Sequence, residues 1–177
     1  QLEQIAHNKG FAPLNDLRDE SSNGRVGITF DDGYEDNHRV ALESLTRWSV
    51  PACIYVVTGQ MDQPTPLWWD YIGDALFRLW KARSDSLKDT RLPPNTSLLL
   101  NLSSTLAARD QISNILGELN EASMEERNRV KDTLIELTQF KGQRTMLTWS
   151  QVKAMGQAGI SFGSHTENHV CLDELSA

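Results

Sequence analysis

The segment Ala52-Cys53-Ile54-Tyr55-Val56-Val57 limits the possible folds most, because it is apolar throughout, follows Pro51 and reads as a buried strand. Upstream, Arg25-Val26-Gly27-Ile28-Thr29-Phe30 reads as another buried strand, bounded by Gly24 and by the Asp32-Gly33 pair. Between the two, Val40, Leu42, Leu45 and Trp48 recur at nearly helical spacing. Strand, helix and strand over this length predict a βαβ unit with a parallel pair. In such architectures functional groups gather where the strands end and loops converge. Asp31 and Asp32 occupy that kind of position.

The rest of the chain divides by pattern. Residues 2–8 read as a short helix ending near Gly10, Pro13 to Leu17 as a capped turn, and Ser21 to Gly24 as a loop. Residues 62–145 read as a mostly helical insertion. It holds an amphipathic helix with Trp68, Trp69, Ile72, Leu76, Leu79 and Trp80, and a polar stretch through Pro93-Pro94. A short strand is expected at Leu98-Leu99-Leu100, with helices around 104–119 and 123–139. The α/β pattern returns at Leu147, where Thr148 or Ser150 can cap a helix running through Met155. Gly159 then precedes a strand at Ile160 to Phe162, which delivers a histidine segment. No internal repeat divides the 177 residues, and one domain is expected.

Charge and composition narrow the partners. Acidic residues outnumber basic ones, 24 to 17, for a net charge of −7. No stretch gathers the Lys and Arg of a phosphate-binding stripe, so nucleic acid is not an expected partner. No run of roughly 18 apolar residues predicts a membrane span. Cys53 and Cys171 form no CxxC pair and are expected to be thiols. No signal-peptide pattern is expected within residues 1–177.

Two segments carry chemistry. In Asp31-Asp32-Gly33, adjacent carboxylates on extended backbone point in different directions, so one can ligate a metal while the other reaches water or substrate. Gly33 supplies the freedom a sharp strand exit needs. In His165-Thr166-Glu167-Asn168-His169, two imidazoles at i and i+4 share a face if the segment makes a helical turn. Together the segments offer two His and one carboxylate, leaving coordination positions for water and substrate, which is the mark of a catalytic rather than a structural site. Glu167 is expected to aim away from the ion, and Ser164 and Thr166 to support the ligands by hydrogen bonds. Trp68, Trp69 and Trp80 are expected in a core rather than stacked on sugar rings. His38 is expected as a solvated helix residue, and neither it nor His7 receives a role.

Thr29-Phe30-Asp31-Asp32-Gly33-Tyr34, followed much later by Ser164-His165-Thr166-x-x-His169 with Leu172 and Leu175 behind, resembles the polysaccharide deacetylase (NodB-homology) family of carbohydrate esterases. The resemblance extends to Gln1–Leu17, Pro51–Thr58 and Leu147–His169, leaving 62–145 as an elaboration. It implies an α/β fold, a distorted (β/α) barrel. The family's later Arg-x-Pro-x-Gly and Leu-x-x-His motifs, which orient the base and supply a general-acid His, do not occur here. Residues 1–177 are therefore expected to be the N-terminal part of the domain, with the barrel incomplete and weak or no activity by themselves. An incomplete barrel exposes strand edges and apolar faces, so a homo-oligomer is expected.

By position, the resemblance implies that Asp32, His165 and His169 hold a divalent ion, usually zinc though cobalt or nickel can serve, and that Asp31 is the general base. The implied reaction removes acetyl groups from N-acetylated, less often O-acetylated, sugars of a polysaccharide or oligosaccharide. The implied location is the bacterial cell envelope or its exterior. A non-catalytic carbohydrate-binding or scaffolding module that keeps the metal site is the alternative. A non-haem iron oxygenase also uses two His and a carboxylate, but there the ligands lie close together in the chain.

Overall fold

The structure is a computed structural model that describes Gln4, residues 10–18 and residues 24–170. All of the expected helix at 2–8 except Gln4, most of the loop at 21–24, and His7, Cys171, Leu172 and Leu175 lie outside the described residues. The chain divides into two compact units, Gln1–Gln63 with Thr145–Ala177, and Pro64–Arg144. The second lies close to the insertion expected at 62–145.

The first unit is built on three parallel strands in the order β1-β2-β3: β1 (Ile28–Phe30), β2 (Ala52–Val56) and β3 (Ser161–Ser164). Phe30 stands beside Ile54, and Ile54 beside Phe162. These side chains share one face of the sheet, where Ile54 is fully buried and Phe30 and Phe162 pack against the same core. Helix α1 (Leu42–Arg47) contributes Leu45 to that core, and helix α5 (Trp149–Gln157) contributes Met155. The other face carries Thr29, Cys53 and Ser161 in register, and Thr29 and Ser161 are exposed. Cys53 on that face is a buried free thiol.

Local details depart from the expectations in two places. The first strand is three residues long rather than six, because Val26 pairs with the 10–12 segment instead of the sheet: its N–H donates to Gly10 O, and its carbonyl accepts from Ala12 N–H. The helix after the acidic turn opens with a π-helical turn at Asn37–Ala41. Its wider turn shifts the register, leaving Val40 66% exposed while Leu45 is only 2% exposed. Of the two expected cap candidates, Thr148 caps α5, accepting from Gln151 N–H while the Gln151 side chain accepts from Thr148 N–H.

The second unit is helical. Its helices are α2 (Trp68–Lys81), α3 (Thr105–Asn120) and α4 (Met124–Thr138), with Ser104 and Ser123 capping the latter two. Ile72, Leu76, Ile115, Val130 and Leu134 form the centre of its core. Trp80 is buried there with Nε1 donating to Leu102 O, and Trp68 packs against the same core. The strand expected at Leu98 to Leu100 is instead part of a 3-10 helix, Pro94–Asn101. Pro93 and Pro94 start it, and no strand is described in this unit to pair with it. Only Leu99 of the three leucines is fully buried, and Leu98 is half exposed.

Candidate metal centre

The centre gathers at the C-terminal ends of the three strands, and backbone hydrogen bonds to the end of β2 hold its two halves. On one side, Asp32 O accepts from Val57 N–H at 3.1 Å. On the other, His165 N–H donates to Val56 O at 2.8 Å. Gly33, with φ of +82°, packs so closely that a Cβ there would stand 2.8 Å from Val56 Cγ1, and its carbonyl accepts from Leu147 N–H. A glycine is therefore required on both conformational and steric grounds.

Asp32, His165 and His169 converge, with one ligand atom of each lying within 4.8 Å of the others. Asp32 Oδ1 is 3.2 Å from His169 Nε2 and 3.6 Å from His165 Nε2. The two imidazole rings meet edge to face, 4.8 Å between centroids. Ligands about 2.1 Å from a tetrahedral ion stand roughly 3.4 Å apart, so this spacing suits a single cation.

The histidine segment does not form the helical turn that would place i and i+4 on one face. Thr166 and His169 instead adopt left-handed backbone, at φ of 63° and 54°, and so does Asp32 at 68°. This conformation is uncommon outside glycine and poor for β-branched Thr. It concentrates strain of about 1–3 kcal/mol per residue at the point where the ligands meet, as functional sites commonly do. Thr166 Oγ1 accepts from Val170 N–H at 3.1 Å, which closes the loop around His169.

Asp32 Oδ1 is buried and accepts no hydrogen bond. Burying a carboxylate oxygen without a donor is costly, and a cation between it and the two imidazoles removes that cost. Two nitrogens and one oxygen form a borderline donor set that suits zinc and its neighbours, and three protein ligands leave room for water. The residues present fit the ion that the sequence implied.

Asp31, the neighbour of Asp32 in the chain, is exposed. Glu167 is also exposed and lies outside the ligand group, its Cγ directed at the Gly59 position. His38 belongs to the π-helical turn and is half-buried rather than solvated. Sequence reasoning did not single out Tyr55, whose position in β2 follows Phe30↔Ile54 by one residue. Burial first, then Cys53, and then the Asp31 charge hold its phenol above the usual range. Strand alternation was the signal that places Tyr55 and Cys53 together on the open face.

No protein-family model, curated protein or solved structure matches the chain.

Proposed function

We propose that this chain carries the metal-binding half of a metal-dependent hydrolase of the polysaccharide deacetylase type. In this reading the three strands are part of a distorted (β/α) barrel, and the substrate is an N-acetylated sugar within a polysaccharide. The observation that carries the proposal is the convergence of Asp32, His165 and His169 around a buried carboxylate oxygen that accepts no hydrogen bond. A bound divalent ion, zinc by preference, supplies Lewis acidity that activates water and polarises the acetyl carbonyl.

The chain's own residues supply the metal-binding and proton-accepting half of the reaction, and the proton for the departing amine comes from outside these residues. Asp32 and the two imidazoles bind and orient, from a scaffold fixed to the end of β2. Asp31, adjacent in sequence and exposed, takes the proton from the attacking water at a carboxylate oxygen. Because a separate carboxylate takes the proton, Asp32 can remain a metal ligand throughout, which is the chemical reason for two acids in tandem.

The test is acetate release from N-acetylglucosamine oligomers by the zinc-loaded chain and by an Asp31→Asn variant. Slow, zinc-dependent release that falls by about 10²–10⁴-fold in the variant supports the reading, because a general base contributes on that scale. Release that is indifferent to zinc or to Asp31 contradicts it. Zinc bound at the triad without acetate release, including from a longer chain that carries the later motifs, would favour a carbohydrate-binding module.

A further inference from the structure

The loop that carries both histidines is gripped from outside by the residues that leave β2. Thr58 N–H donates to Thr166 O at 3.1 Å, and Gly59 N–H donates to Glu167 O at 2.9 Å. Both acceptors lie between His165 and His169, so two successive amides of one segment bond two successive carbonyls of the other. The bonds fasten the very stretch whose backbone is left-handed at Thr166 and again at His169. Such conformations persist only where the surroundings over-determine them.

Gly59 makes this grip possible. It lies in the short 3-10 turn Thr58–Gln60 without a positive φ, so its backbone conformation is open to any residue. The space beside it is not: a Cβ would stand 2.6 Å from Glu167 O and 3.2 Å from both Asn168 Oδ1 and Glu167 Cγ. A side chain could rotate away, but the Glu167 carbonyl can retreat only by moving the backbone between the two histidines.

We infer that Thr58 and Gly59 are positioning residues for the metal centre, a backbone clamp that holds the histidine loop at the spacing the ion requires. Their role is carried by two backbone N–H groups, by the Thr58 hydroxyl, which also donates to Thr166 O at 3.4 Å, and by the missing Cβ of Gly59. The inference rests on the reading of Asp32, His165 and His169 as metal ligands.

Zinc dissociation constants, measured by competition with a chromophoric chelator, test the clamp in the wild-type chain, Gly59→Ala and Gly156→Ala. Gly156 lies in α5 of the same unit with nothing within 4 Å of its missing Cβ, and it is the control for glycine replacement itself. Gly59→Ala is expected to bind zinc roughly 10–100-fold more weakly, as loss of support around a ligand typically does, while Gly156→Ala binds as wild type. Gly59→Ala binding as tightly as wild type overturns the clamp and leaves the metal centre standing. Failure of the wild-type chain to bind zinc overturns the metal centre, and the clamp's purpose with it. Amide exchange of the wild-type chain tests the clamp independently of any variant. Protection at Thr58 and Gly59 that rises on zinc loading supports the clamp, and exchange at free-peptide rates in both states overturns it.

Discussion

Thr166 carries more local strain than its neighbours can explain by propensity. It is β-branched, yet it sits at φ of 63° between two ligands, with its hydroxyl accepting from Val170 N–H and its carbonyl from Thr58 N–H. Asn tolerates left-handed backbone better and offers a side-chain oxygen that can replace the hydroxyl as acceptor. Thr166→Asn is therefore expected to stabilise the metal-free chain by about 1 kcal/mol, read from urea unfolding, because it relieves part of the strain. A loss of stability would mean that the threonine conformation is not strained. That Asp32, His165 and His169 could share one ion was legible in the sequence, since their chemistry and order are sequence properties. Their route to one point was not, because single residues in left-handed backbone follow no periodic pattern, and the i, i+4 spacing suggested a helical turn where a clamped loop stands.

At the level of elements, apolar periodicity located the strands and long helices but misread two short segments. Leu98-Leu99-Leu100 has the composition of a strand, yet a strand needs a partner, and the two prolines ahead of it start a 3-10 helix instead. That geometry predicts unequal leucines: Leu99→Ala should cost about 2–5 kcal/mol, the usual range for a large-to-small change in a packed core. Leu98→Ala should cost under about 0.5 kcal/mol, as an exposed substitution does. Similar costs at both positions in denaturant unfolding would contradict the assignment. The register after the acidic turn was misread for a related reason, because one π-helical turn displaces every later residue around the helix axis.

The helical unit Pro64–Arg144 holds a pH-dependent pair. Hydrogen bonds from the Arg91 side chain and then its backbone amide hold the Asp89 carboxyl down at about 2, against an ordinary 3.8, and Arg91 also reaches Glu136. A lowered carboxyl stabilises the folded state above 3.8, and that contribution disappears as the pH falls through about 2. Stability should therefore decline across this interval in wild type, and decline less in Asp89→Asn. Unfolding titrations at stepped pH read the difference, and parallel curves for the two proteins would mean that Asp89 contributes nothing to it.

The whole molecule places its second unit, Pro64–Arg144, between β2 and β3 of the first in chain order. The sequence reading expected one domain, but the helical character of this stretch was legible because helical periodicity replaces short apolar runs near residue 62 and gives way to them again near 145. The parallel sheet is packed by helices on the face of Ile54, while Thr29 and Ser161 on the opposite face are exposed. No described helix is long and apolar enough to cross a membrane. What unites the first unit is the end of β2, from which Val56, Val57, Thr58 and Gly59 bond both the acidic turn and the histidine loop. The function proposed for the chain depends on that convergence. Metal content of the purified chain, after zinc loading and removal of excess, tests it most directly. One zinc per chain is expected in wild type, and none in folded Asp32→Ala or His169→Ala; a metal-free wild type, or variants that keep their zinc, would contradict the proposed centre.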